Sequence, residues 1–316
     1  MNKKLLNLDP SLFFKPILSK NQLVWNFPDK NIQVYLKRED LIHPFVSGNK
    51  YRKLKYNLIH AIENNYTRVI TFGGAYSNHI AATAYACQSI NIPCIGIIRG
   101  QELERLAEEK FVSNPTLQFA HQCGMKFKFV SRKAYRDKEK LQLEFLTNQP
   151  NTYVIPEGGT NHLAVKGCQE ILSATDKNFD YITSSCGTGG TFAGLIEASE
   201  KHQKLIGFSA LKGNFLQQEI QQLTQKKNWS LITDYHFGGY AKVTDGLVHW
   251  MNHFFQKTKI RLDPIYTAKM MFGLEDLIKS DYFSKNTRIL AIHTGGLQGI
   301  EGINKFRSSK DLKLID

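Results

Sequence analysis

Lys50 is the first residue whose setting raises a chemical question. In the segment PFVSGNKYRKLKY (44–56) it follows a small Ser-Gly-Asn turn and opens a helical pattern, with Arg52, Lys53 and Lys55 close behind. A lysine reacts as an amine only when its pKa is brought down. A helix N-terminus, neighbouring cations and burial each disfavour the ammonium form. The neutral amine that results is what a Schiff base requires. Taken alone, the commoner fate of such a lysine is a surface position with its stem along the protein.

Three glycine loops change that balance. SSCGTGGTFAGL (184–195) reads as a strand running into Gly187, Thr188, Gly189, Gly190 and Thr191, then a helix. Glycines let the backbone approach a ligand, and the free N–H groups of a helix start suit a phosphate. It is not a Walker A loop, because no Lys-Ser/Thr pair follows. The dinucleotide fingerprint would need glycine where Phe192 stands. TFGGAYSNH (71–79) has the same form, with Ser77 and Asn78 either capping a helix or aimed at a ligand. HTGGLQG (293–299) is the third loop. LDPIYTAKMM (262–271) places Tyr266 and Thr267 at a further helix start. His249 and His253 are four apart, but Trp250 stands where a zinc-protease helix needs glutamate, so no metal site is expected. No Gly-x-Ser-x-Gly elbow supports a serine hydrolase.

The elements that must position these residues alternate between strand and helix patterns. Short β-branched runs fall at 32–37, 68–72, 94–98, 126–130, 152–156, 181–185, 205–211 and 288–293. Helical periodicity follows Gly48, where Leu54, Leu58 and Ile62 share a face, and resumes after Ser77, Asn114, His162, Gly190, Asp245 and Pro264. This alternation predicts α/β layers on mostly parallel sheets, whose ligands bind at the carboxyl ends of strands. No repeat or long linker interrupts the chain, so any two domains pack closely.

The 316 residues, 42% hydrophobic, suffice for a large core. No apolar run approaches the roughly 18 residues of a membrane helix. Asn7, Asp9 and Pro10 break the opening apolar stretch, which is not read as a signal peptide, and a cytoplasmic protein is expected. The five cysteines form no CxxC pair, which fits reduced thiols. The net charge of +13 is spread along the chain, densest at 131–140, and no zinc-finger or RRM pattern accompanies it. Nucleic acid is therefore not the expected partner.

Taken in order, KREDL, SGNKYRKL, TFGGAYSNH, SSCGTGGTFAGL, LDPIYTAKMMFGL and HTGG resemble the pyridoxal-phosphate enzymes of the tryptophan-synthase-β fold (fold type II). The resemblance is closest to the branch of D-cysteine desulfhydrases and 1-aminocyclopropane-1-carboxylate (ACC) deaminases. It implies two open, mostly parallel α/β domains with pyridoxal 5′-phosphate in the cleft between them. A smaller domain would span 53–161, and a larger one would combine 1–52 with 162–316. It also implies a homodimer and a small amino-acid substrate. By the same resemblance Lys50 carries the cofactor, Asn78 bonds its ring oxygen and Ser77 lies near the substrate carboxylate. Gly187, Thr188, Gly189, Gly190 and Thr191 form the phosphate loop. Tyr240, in GGYAKVTDGL, and Tyr266 are active-site tyrosines, while Thr294 and Thr267 lie toward the ring nitrogen.

D-Cysteine desulfuration removes the Cα proton and expels sulfide from Cβ, giving pyruvate, ammonia and hydrogen sulfide. ACC has no Cα proton, so its ring opening needs a strong electron sink. ACC deaminases typically carry glutamate where this chain has Thr267, and tend to carry glutamine where it has His79. A neutral hydroxyl cannot hold a proton on a ring nitrogen by charge. Both departures favour D-cysteine desulfhydrase-type β-elimination, with ACC deamination as the alternative. The loop GYAKVTDG differs from the GYGVPN of desulfhydrases, and Lys242 would add a charge there. A non-catalytic α/β ligand- or nucleic-acid-binding protein is the alternative of another class.

Overall fold

The computed structural model describes residues 13–15 and 19–316. Most of the opening segment weighed above as a signal peptide lies outside the described residues. Ten strands follow in chain order: β1 (Asn21–Phe27), β2 (Ile32–Lys37), β3 (Arg68–Gly74), β4 (Cys94–Arg99), β5 (Lys126–Val130), β6 (Thr152–Ile155), β7 (Tyr181–Cys186), β8 (Lys204–Ser209), β9 (Trp229–Ile232) and β10 (Arg288–Ile292). The helices are α1 (Asn49–Glu63), α2 (Asn78–Ser89), α3 (Pro115–Gln122), α4 (Lys138–Asn148), α5 (His162–Gln169), α6 (Gly190–Ala198), α7 (Phe215–Leu223), α8 (Asp245–Thr258), α9 (Thr267–Lys279) and α10 (Gly299–Ser308).

The strands make two sheets, ordered β1-β2-β10-β7-β8-β9 and β5-β4-β3-β6. All pairings are parallel except that of β1 with β2. Parallel strands need helical crossovers, which cover both faces and bury the central strands. Accordingly β7 (YITSSC) and β10 (RILAI) are buried at all but their first residue. Leu54 and Leu58 of α1 are buried as their spacing predicts, Ile62 is half-buried, and Ala61 is buried beside them.

The segments missed from the sequence lie mostly at edges. β1 has a mixed, partly exposed pattern, and β9 is only four residues long. Each has at most one strand neighbour to cover it, so its sequence need not be a continuous apolar run. Helices α4, α7 and α10 bury two, two and one of their residues respectively, too few for an apolar stripe.

Strand ends from both sheets meet. A Cβ on Gly296, just beyond β10, would lie 2.5 Å from Asn78 Nδ2, just beyond β3. Gly158, beyond β6, faces Thr188, beyond β7. Among the described residues, no helix is long and apolar enough to cross a membrane, and the five cysteines are buried free thiols.

Candidate active site

The Lys50 turn is pressed against the loop after β10. Gly48 adopts φ +61, and a Cβ there would come within 2.0 Å of Thr294 O. Only glycine tolerates both the left-handed backbone and that contact. Asn49 N donates to Thr294 O, and Asn49 Nδ2 donates to Thr191 Oγ1 at 2.8 Å. One short turn therefore ties the lysine to two of the glycine loops. Lys50 keeps some open surface, yet its amine lies deep. Burial is the largest influence on its pKa, Lys53 adds to it, and Cys168 and Asp263 oppose it; the result is a fall to about 7.

Of the neighbouring cations, Arg52 and Lys53 are both buried. Arg52 is paired with buried Glu39 through two contacts, at 2.9 and 3.0 Å, and it is Lys53 that depresses Lys50. Lys53 Nζ donates to Gly158 O, Thr160 Oγ1 and Thr188 Oγ1, so a buried ammonium sits at the glycine loop with no carboxylate among these partners. Its pKa is lowered by burial. Only its i+3 spacing from Lys50 signals it in the sequence. The loop itself is shaped for an anion. Gly189 precedes α6 without any side-chain cap; Gly190 N donates to Thr188 O, which leaves the Thr191 and Phe192 N–H groups of the first turn uncapped.

His79 is buried against Gly159, where a Cβ would lie 3.1 Å from its ring. Thr71 donates to Ile155 O, so its hydroxyl accepts from His79 Nε2 at 2.7 Å. The proton is thereby on Nε2, and Nδ1 is a buried lone pair without a partner. Burial, then Lys50 and Lys53, holds the histidine well below its usual pKa.

Ser77 caps α2, its Oγ accepting from Ile80 N. Asn78 Oδ1 is buried and has no partner. Across the cleft, Tyr266 packs on Gly187, where a Cβ would stand 3.0 Å from its ring. Tyr240 is 47% exposed, and its ring meets that of Tyr266 edge-on with centroids 6.3 Å apart. Burial is the largest influence on the pKa of both tyrosines and pushes both upward. The Tyr240 loop is clipped by a residue not anticipated from the sequence. Buried Lys269 donates to His236 O and Gly239 O, each at 2.9 Å. Lys242 is exposed, with its stem over Gly238. Thr267 and Thr294 are buried, their hydroxyls 3.4 Å apart. These contacts bring the loops after β3, β7 and β10, the Lys50 turn and the start of α9 together. His249 and His253 are exposed elsewhere on α8, and no metal-binding cluster is present among the described residues.

The sequence pattern of the pyridoxal-phosphate dependent enzymes matches residues 16–295. The chain belongs to that family. Among relatives of the pyridoxal-phosphate family, the putative ACC deaminase of Pyrococcus furiosus is 32% identical, over 84% of this chain and 85% of that protein. The mitochondrial bifunctional D-cysteine desulfhydrase/ACC deaminase of Arabidopsis thaliana is 31% identical, over 87% and 76%. The crystal structure of an ACC deaminase homologue superposes with a TM-score of 0.77 at 26% identity, covering 98% of this chain and 99% of the other. The fold is that of the fold type II enzymes, and the chain is an enzyme, which sets aside the non-catalytic reading.

The residues present fit pyridoxal phosphate. The cleft offers a lysine amine of depressed pKa, an uncapped helix start with a buried ammonium beside it, and the unpartnered Asn78 Oδ1. At pH 7 about half of the Lys50 side chains are uncharged, against roughly one in 2,500 for an ordinary lysine. Capture of pyridoxal phosphate by the cofactor-free chain should therefore speed up about tenfold per pH unit below about 7 and level off above it. Stopped-flow absorbance checks this; a rate still climbing tenfold per unit above about pH 9 contradicts a depressed Lys50.

Proposed function

We propose that the chain breaks down D-cysteine by β-elimination, giving pyruvate, ammonia and hydrogen sulfide. The observation that carries this is the Lys50 turn, tied to the loops after β7 and β10, with Tyr266 packed on Gly187 of the first loop and Tyr240 against Tyr266. When bound, pyridoxal phosphate supplies an electron sink for charge developing at Cα. The chain supplies the rest. Lys50 Nζ takes the Cα proton, a task suited to a base of pKa near neutrality. The tyrosine pair supplies a proton to the departing sulfur. Ser77 and Asn78 lie at the start of α2, where free N–H groups favour the substrate carboxylate. Gly187, Thr188, Gly189, Gly190 and Thr191 hold the phosphate, with Lys53 as its counter-charge.

ACC deamination is the second reading, favoured by the names of the Pyrococcus and Arabidopsis relatives. Separate incubations with the two substrates decide between them. Sulfide with pyruvate from D-cysteine supports β-elimination, and 2-oxobutyrate from ACC without sulfide from D-cysteine overturns it. We also propose that 53–161 form a smaller domain around the sheet of β3 to β6, that the remainder forms a larger one, and that the enzyme is a cytoplasmic homodimer. The strand membership of the two sheets supports the division.

A further inference from the structure

A buried ammonium stands on α9 that the proposed reaction does not use. Lys269 is 2% exposed. Its Nζ donates to His236 O and Gly239 O, each at 2.9 Å, so both partners are main-chain carbonyls and neither is a carboxylate. Burial lowers its pKa to about 8, with Asp263 opposing, so at pH 7 it is still about ten to one an ammonium.

The two carbonyls have a structural meaning. His236 O also accepts from Gly239 N at 3.0 Å, and Gly239 O accepts from Lys242 N at 3.3 Å. Each therefore closes a tight turn, and the turns 236–239 and 239–242 share Gly239. Tyr240 stands in the second. Phe237, Gly238, Gly239 and Ala241 have φ of +54, +93, +118 and +57. Phenylalanine and alanine disfavour such angles, so this backbone keeps its shape only where neighbours hold it. The hold comes from one face of α9. Tyr235 donates to Asp276 at 2.6 Å and packs over Gly273, and Phe237 meets Phe272 edge-on with centroids 5.1 Å apart. Positions 269, 272, 273 and 276 recur at helical spacing, so they share that face. The grip runs from Tyr235 to Gly239 and ends at Lys269, one residue short of Tyr240. Beyond it Tyr240, Ala241 and Lys242 are exposed.

We propose that Lys269 is a positioning residue for the reaction, fixing the double turn so that Tyr240 stands against Tyr266. This rests on the reading of that tyrosine pair as the proton source. Tyr266 is placed without such help, because it is the residue on which α9 begins and its N–H donates to Asp263 Oδ1 at 2.8 Å. Tyr240 lies between β9 and α8, on a stretch that no strand or helix of its own places. One helix thus starts at one tyrosine and holds the turn of the other through a charged side chain. Bonds from an ammonium are stronger than those from a neutral donor, which suits a single pin between two turns.

Lys269→Met keeps the stem and removes the donors. In the cofactor-free variant, trypsin should cut after exposed Lys242 at least about tenfold faster than in the parent, because the released turn opens more often. In the loaded enzyme, kcat on D-cysteine, or on ACC if that is the substrate turned over, should fall about tenfold or more. KM should stay within about threefold, the pattern of an interaction lost in the transition state. Adding Lys269→Met to Tyr240→Phe should cost less than about twofold more, since the lysine acts through that tyrosine. An unchanged cut rate, cutting that rises alike at every site, or an unchanged kcat with only a lower melting temperature makes Lys269 a structural contact and overturns the proposal. So do effects of the two substitutions that simply multiply. Tyr240→Phe that turns over as fast as the parent refutes the tyrosine reading instead, and this role with it. If Lys269→Met does not fold, Lys269→Gln, one bond shorter than lysine, must show the same faster cut and the same lack of additivity.

Discussion

Replacing Lys50 with alanine is expected to reduce turnover by at least about 10³-fold, within the range for losing a positioned acid–base group. The parent protein should be yellow, with near-visible absorbance that borohydride bleaches and fixes in place. Lys50→Ala should not show borohydride-fixed label. The fold should survive, because the contacts that seat this turn are made by Gly48 and Asn49 and not by the lysine stem. Its stability should even respond with a definite sign. The folded-state pKa of about 7 lies below that of an unfolded lysine, so the ammonium is disfavoured by folding. In the cofactor-free parent, that cost is present in full below about pH 7 and lifts as pH rises toward the unfolded value. Cofactor-free Lys50→Ala should thus melt no lower than the parent at pH 6. Retained turnover in this variant would remove Lys50 from the chemistry.

Glu39→Ala should destabilise the chain by about 3–5 kcal/mol, measured from urea unfolding of the cofactor-free protein. Glu39 and Arg52 are 0% and 2% exposed and share two hydrogen bonds. Truncating one partner leaves the other charge in a medium that solvates it poorly. Glu170, 3.8 Å from Arg52 Nη1 and bonded to Lys55, is a longer, shared ion-pair partner and offsets only part of the loss. Glu39 also accepts Gly48 N through its backbone oxygen, so its turn buttresses the lysine turn directly. Replacing both ionised groups by apolar ones of similar volume, Glu39→Met with Arg52→Met, should recover most of the loss. If the double variant is as unstable as the single one, the cost lies in packing and not in the orphaned charge.

From sequence, a hydroxyl in place of glutamate weakens the electron sink and favours β-elimination over opening of a ring without a Cα proton. In the structure Thr267 is buried and its backbone N–H donates to Asp263 Oδ2, so a buried carboxyl group stands beside that position. Thr267→Glu would set a second buried carboxyl group against Asp263, and like charges so close cannot both ionise.

The sequence alone determined the strand–glycine–helix loops and the order in which they occur. Those features depend on local rules, namely backbone freedom at glycine, helix starts and the apolar period of buried parallel strands. They were enough to mark Lys50, Asn78, Ser77, the 187–191 loop, Tyr266 and Thr294 as candidates. Tertiary structure decided the electrostatics. Arg52 and Lys53 look alike in RKLK, yet one is neutralised by Glu39 and the other stands bare at the glycine loop. Lys269 resembles any helix lysine until its two carbonyl partners on the Tyr240 loop are seen. Charge acts through space and through the burial of neighbours, and neither is encoded by spacing along the chain.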